Sequence, residues 1–161
     1  MAFPGGAIDM VAYHSRRADR RMVEELDAAG LAAMKMRERI ATAVRTRLAR
    51  NAEHREAVRR ALTLLALPHN APLAARLLYR TVDAMWYAAG DTSVDFSFYT
   101  KRATLAGVYT TTLLHWLDDR SPDGEATWAF LDRRVEDVMR FERLKARARD
   151  YGARWRTRPA R

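Results

Sequence analysis

The sequence contains no cysteine. That one absence excludes disulfides, thiolate zinc sites, iron–sulfur clusters and cysteine nucleophiles together, and it fits a reducing compartment. Proline and glycine are scarce, at five and seven residues, so the chain has few points at which a helix is forced to stop. No apolar run approaches the roughly eighteen residues needed to cross a bilayer as a helix. Met1 to Gly6 lacks the basic region and apolar stretch of a secretory signal.

What is present is rich in Ala, Leu, Arg and Glu, with 48% apolar and 30% charged residues. This is a globular mix weighted toward helix formers, and 161 residues suffice for one domain with a real core. The net charge of +9 is unevenly placed. Residues 140–161 hold nine Lys/Arg against Glu142 and Asp150, whereas the rest of the chain holds twenty bases against eighteen acids. The high isoelectric point therefore belongs to the tail, and the body is nearly neutral.

Pro4-Gly5-Gly6 reads as a turn, followed by a helix from Ala7 to Ala28 that Gly30 stops. Leu31 to Arg50 reads as a second helix, with Leu31, Met34, Ile40, Val44 and Leu48 at roughly helical spacing. Asn51 is the expected N-cap of a third helix ended by Pro68, and Asn70 that of a fourth ended by Gly90. A polar connector over 91–95 leads into a fifth helix from Asp95 to Asp118. Ser121-Pro122 opens a sixth, with proline at the first helical position. No strand-like alternation and no repeat is visible. The expected fold class is all-α, a helical bundle of about six helices. Residues 1–139 make one domain, and 140–161 a basic amphipathic C-terminal helix or tail.

Signs of catalysis are missing. His14, His54, His69 and His115 form neither an HExxH pair nor a Glu-x-x-His motif, so no metal site and no cofactor is expected. Gly5-Gly6 lacks the Lys-Ser/Thr of a phosphate loop, and no serine sits in a Gly-x-Ser-x-Gly elbow. The chain does not read as an enzyme.

The tail carries a pattern of its own. Phe141, Leu144, Ala148, Tyr151 and Trp155 share one helical stripe, with Lys145, Arg147, Arg149, Arg154 and Arg156 off it. Such a helix suits an anionic bilayer surface, where each cation is worth about 1 kcal/mol. Phe141, Leu144, Tyr151, Trp155, Lys145 and Arg149 are the candidate membrane contacts. The same spacing equally describes a helix packed on the body. Nucleic acid would also reward these charges, but a second basic face and a helix-turn-helix are both missing, so it is not the expected partner. The fourth and fifth helices carry Trp86, Tyr87, Phe96, Phe98, Tyr99, Tyr109 and Trp116. Aromatics in this number line either a filled core or a ligand cavity.

From Thr81 to Met139 the chain reads TVDAMWYAAGDTSVDFSFYTKRATLAGVYTTTLLHWLDDRSPDGEATWAFLDRRVEDVM. The AGD-x-S-x-DF-x-x-YT-K/R-RA segment and the later W-x-F-L-x-x-R-V-x-D-x-M helix resemble the Coq-nine family of ubiquinone-biosynthesis accessory proteins. The upstream stretch ALTLLALPHNAPLAARLLYRT is similar too. The resemblance implies a fold like the ligand-binding and dimerisation domain of TetR-type regulators, and a homodimer. It implies an apolar cavity for an isoprenoid lipid or quinone precursor, peripheral membrane attachment, and a partner, the di-iron hydroxylase acting on demethoxyubiquinone. Carried over, the partner surface falls on Asp95, Phe98, Tyr99 and Arg102, with Met85 and Trp86 nearby. Replacing Tyr99 and Arg102 with Ala is expected to abolish docking and leave the fold intact. Where family members commonly have Asn-Trp before Tyr-Thr, this chain has Ser97-Phe98, which keeps an aromatic anchor and loses the indole donor.

The combined expectation is a non-catalytic lipid-presenting adaptor. Its cavity is lined by Leu62, Leu65, Leu78, Val82, Met85, Trp86, Tyr109 and Leu113. A TetR-like ligand-sensing regulator and a ligand-free interaction domain are the alternatives. The expected location is the cytoplasmic face of a bacterial inner membrane, or the mitochondrial matrix side in a eukaryote.

Overall fold

The computed structural model describes residues 3–91, 96–138 and 140. Six α-helices follow one another: α1 (Ala7–Ala29), α2 (Met36–Ala49), α3 (Arg55–Leu65), α4 (Ala71–Ala88), α5 (Phe96–Asp118) and α6 (125–138). There is no strand among the described residues, and the fold is the all-α bundle that composition and periodicity predict.

α1 forms because Ala12, Ala18, Met22 and Leu26 recur on one face and are buried there. Gly6 and Gly30 bracket it at φ of 69° and 64°, a region glycine enters without the clash a Cβ would make. Beyond Gly30 the expected single helix over Leu31–Arg50 divides in two. A short turn at Leu31–Ala33 gives way to extended backbone at Met34 and Lys35, and α2 starts only at Met36. Arg39 explains the break. Its guanidinium donates to the carbonyls of Met34 (2.9 Å), Ala32 (2.8 Å) and Ala89 (3.0 Å). Carbonyls that a continuous helix would have satisfied, and one at the end of α4, are thus met by a side chain. The Glu38 carboxylate accepts the Lys35 N–H at 3.1 Å and closes the start of α2.

Asn70 stands at the N-cap position of α4 as the sequence predicts, and Asn51 before the single turn that leads into α3, but neither side chain caps forward. The Asn51 amide donates to the Arg47 carbonyl at 3.1 Å, closing α2, and a single turn at Ala52–His54 precedes α3. The Asn70 amide donates to the Leu64 carbonyl at 2.9 Å, closing α3. In short connections the carbonyls of the outgoing helix compete for the same side chain as the N–H groups of the incoming one, and here they win.

Met22, Leu26, Val44, Leu48, Trp116 and Leu131 are fully buried and bring α1, α2, α5 and α6 into one core. Each such side chain contributes roughly 1.5–3 kcal/mol. A polar lock crosses this interior. Asp19 on α1 accepts from Arg47 Nε on α2 and from Thr81 Oγ1 on α4, both at 2.9 Å, and all three residues are buried. At the far end of α5, Arg59 and Arg55 of α3 donate to the carbonyls of Leu117 and Asp119. The Arg55 guanidinium lies 4.7 Å from the centre of the Trp116 ring.

Between α5 and α6, Ser121-Pro122 opens one tight turn, Pro122–Gly124, with Asp123 at φ 51°, and the helix proper starts at 125. Asp119 organises this corner. Its carboxylate accepts the N–H and hydroxyl of Ser121 and the N–H and hydroxyl of Thr127. Burial pushes the Asp119 carboxyl up, but these hydrogen bonds outweigh it and hold the group well below the usual carboxylate range.

Candidate ligand-binding site

α3 is strongly amphipathic, yet none of its residues is fully buried. Its apolar face, with Val58, Ala61, Leu62 and Leu65, looks onto a cavity of about 880 Å³ that α1, α4, α5 and the end of α2 complete. Small residues line it from both helices, Ala57 and Ala61 on α3 and Ala74 and Ala75 on α4. The volume lies within the range of small-molecule sites.

The lining divides by chemistry. Where α3 hands over to α4 it is apolar, with Leu64, Leu65, Ala74 and Leu78, joined by Met10 and Val11 of α1. Where α2 hands over to α3 it is polar, with Arg47, Asn51 and His54, joined by Thr81, Tyr109 and His14. Arg47, Asn51, Thr81 and Tyr109 are buried, and His14 stands at the solvent side. Among the described residues no Asp or Glu lines the cavity.

Burial raises the Tyr109 phenol; Arg47 opposes the rise and Asp19 adds to it, so the hydroxyl stays protonated. Burial works against the Arg47 cation, and the Asp19 carboxylate that accepts from it favours the charged form. His14 is held below its ordinary value, first by burial and then by the positive charges of Arg47, His54, Arg17 and Arg21. The arrangement is an apolar cleft with a polar, hydrogen-bonding end.

Of the residues expected to bind lipid, Leu62, Leu65, Leu78, Tyr109 and Leu113 lie together in this lining. Val82 and Met85 do not, being 1% and 0% exposed within the packed core. The stripe Leu78, Val82, Met85 along α4 passes from cavity wall into solid interior. Trp86 borders a second, smaller cavity of about 330 Å³, with Met36, Ile40, Leu105, Val108 and Val135. Its indole N–H is buried and finds no acceptor among the described residues. Sequence reasoning missed Arg47, Thr81 and Asn51. The available signal was position: Arg47 falls three residues after Val44, on the inward face of α2.

The expected docking set separates. Asp95 lies outside the described residues. Tyr99 is 69% exposed and meets the half-buried Phe98 edge-on, with ring centres 5.2 Å apart. Arg102 is not a surface group. It is 7% exposed, donates to Asp83 at 2.7 Å and to the Phe98 carbonyl at 3.3 Å, sits 3.7 Å from Asp91, and covers the Phe98 ring at 3.3 Å. Packing between α4 and α5 leaves its guanidinium with internal partners, so its role as a surface contact is corrected to that of an internal clamp. Met85 and Trp86 are buried as well. Tyr87, 72% exposed on the opposite side of α4, is an aromatic that the sequence reading did not assign to docking. Phe141, Leu144, Lys145, Arg149, Tyr151 and Trp155 lie outside the described residues.

A COQ9 family model matches residues 71–142, from α4 onward. The mitochondrial ubiquinone biosynthesis protein COQ9 of Rattus norvegicus is 46% identical over 110 residues, 68% of this chain and 35% of that protein. The Drosophila melanogaster protein of the same name is 32% identical over 146 residues, 88% of this chain and 45% of its own length. The chain therefore spans well under two thirds of these relatives. Among solved structures, a TetR transcriptional regulator from Nitrosomonas europaea superposes with a TM-score of 0.63 at 27% identity, over 75% of this chain and 66% of that one.

Proposed function

We propose that this chain, which belongs to the COQ9 family, is a non-catalytic accessory protein of ubiquinone biosynthesis that binds an isoprenoid quinone precursor and presents it to a partner hydroxylase. The observation that carries this reading is the 880 Å³ cleft under the apolar face of α3. An amphipathic helix left without a solid partner is stabilised when an apolar ligand covers it, by roughly 25 cal/mol per Å² removed from water. Tyr99 and Tyr87 offer exposed aromatic anchors at the α4–α5 corner, the residue type that dominates protein interfaces. The hydroxylase docks there. α5, which exposes Leu114, and α6 supply the homodimer surface. The basic tail, with its aromatic stripe from Phe141 to Trp155, holds the assembly at an anionic membrane, on the cytoplasmic side in a bacterium or the matrix side in a mitochondrion.

Purification without detergent, followed by native mass spectrometry and solvent extraction, tests the proposal. A stoichiometric isoprenoid or quinone-like species is the expected result. An empty, folded protein that also takes up no added isoprenoid would defeat it. The likeness to a TetR regulator favours a ligand-sensing regulator as the second reading. Gel-shift assays separate the two, because specific DNA binding survives physiological salt whereas binding by a basic tail alone fades.

A further inference from the structure

We infer that the floor of the large cavity takes a neutral, carbonyl-bearing head, whose oxygen accepts a hydrogen bond from the Tyr109 hydroxyl while the isoprenoid chain lies toward the rim. This rests on the proposal that the cavity binds an isoprenoid quinone precursor, and it adds the orientation of the ligand and the residue that sets it.

Burial gives the cavity its depth. Arg47, Asn51, Leu77, Thr81, Tyr109 and Leu113 are buried and form the floor, whereas Met10, His14, His54 and Arg60 are exposed and form the rim. The floor is polar, yet its charge is balanced. Arg47 Nε donates to the buried Asp19 carboxylate at 2.9 Å, and at the rim Arg60 is paired with Glu56 at 3.0 Å. An anionic head at the floor would give up its hydration and meet no unpaired cation in return. A neutral head pays no such penalty.

The second observation is a hydrogen-bonding group left over. Of the four buried polar side chains at the floor, three have internal acceptors. Arg47 and Thr81 donate to Asp19, and the Asn51 amide donates to the Arg47 carbonyl. The Tyr109 side chain, 7% exposed, makes no hydrogen bond to any described residue. Burial keeps its phenol protonated, so it is a donor at neutral pH. A hydrocarbon chain filling the floor would strip this hydroxyl of solvent and give nothing back. A carbonyl oxygen restores the bond. Leu62, Leu65 and Leu78, half-buried between floor and rim, then cover the chain.

Two probes of one shape decide the matter: geranylacetone, and its analogue with a methylene group in place of the carbonyl oxygen. Each displaces N-phenyl-1-naphthylamine from the delipidated full chain, in the wild type and in Tyr109→Phe. Removal of the hydroxyl should weaken the ketone about five- to tenfold and leave the methylene analogue unchanged. The melting temperature of the ligand-free variant should not fall, because no internal hydrogen bond is broken. An equal effect on both probes, or none on either, overturns the inference and leaves lipid binding standing. Infrared spectroscopy of the wild type is independent of how the variant folds. The ketone band of bound geranylacetone should lie below its position in hexane, and an unshifted band overturns the inference as well. Failure of both probes to bind the folded wild type overturns this inference and the lipid-binding reading together.

Discussion

Replacement of Arg102 by Ala should destabilise the whole domain rather than disarm a surface. The side chain is 8% exposed and faces two carboxylates, Asp83 at 2.7 Å and Asp91 at 3.7 Å. Asp83 is 45% exposed, so solvent discounts that pair toward the upper end of a surface bridge, about 1 kcal/mol. Asp91 is 5% exposed. It keeps Lys101 at 2.8 Å but loses part of its compensation, which costs about 1 kcal/mol more. Loss of the guanidinium from the Phe98 face adds roughly another 0.5–1 kcal/mol. The total is about 2.5–3 kcal/mol, near the lower end of what removing one partner of a buried ion pair costs. For a domain of this length that lowers Tm by roughly 5–12 °C. Urea titration followed by far-ultraviolet circular dichroism reads it directly. Tyr99→Ala, at an exposed position, should stay within about 0.5 kcal/mol of wild type. Arg102→Ala matching Tyr99→Ala would refute the clamp and return Arg102 to the surface.

Two further outcomes follow from titratable groups. Asp119→Asn should cost about 1–3 kcal/mol, because buried Thr127 and the start of α6 lose a charged acceptor. The folded-state carboxyl is depressed, so its contribution is complete above the ordinary value near 3.8 and drains away as pH falls below it; acid titration of the two proteins should converge. His14 works at milder pH. Its folded value lies below 6.5, so the unfolded chain binds the extra proton first and the ligand-free protein loses stability as pH falls through 6.5. His14→Gln should flatten that slope in thermal melts, and an unchanged slope would mean that the cationic surroundings of His14 carry no energy.

Helix number and order were legible in the sequence because apolar periodicity and the scarcity of glycine and proline both report on local backbone. The divided second helix was not. Leu31, Met34 and Ile40 keep roughly helical spacing across the break, and only Arg39, reaching back to Ala32 and forward to Ala89, explains why the chain can afford it. Asn51 and Asn70 were correctly placed between helices, Asn70 at the N-cap position of α4, but their amides donate backward instead of their oxygens accepting forward. In the cavity, the leucines were visible as stripes and the hollow was not. Whether Leu62 and Leu78 touch or stand apart depends on how α3 and α4 pack, a property of two segments taken together. Arg47 was hidden for the opposite reason. An arginine in a charged helix reads as solvated until Asp19 and Thr81, distant in sequence, are seen to enclose it.

The AGD…YTKRA segment shows how one motif can hold two kinds of constraint. Asp91 and Arg102 turn inward. Asp91 meets Lys101 and Arg102, Gly90 takes a φ of 83° that lets the chain leave α4, and Lys101 lies 5.5 Å from the centre of the Trp86 ring. These groups set how α4 and α5 meet on either side of the connector. Of its aromatics, Tyr99 is exposed on α5 while Phe98 lies half-buried under Arg102; just ahead of the segment, Tyr87 is exposed on α4. The motif as a whole is therefore not one exposed surface: the side chains of Arg102 and Asp91 are buried and Tyr99 is exposed. Changes at Asp91 or Arg102 act on the fold and reach any partner only by disturbing it. Changes at Tyr87 or Tyr99, both exposed, should leave the fold intact. The clamp is what gives the aromatics a fixed place to stand: a tyrosine on a loose corner would lose its entropy on binding, whereas one on a corner already pinned by buried ion pairs has much less left to lose.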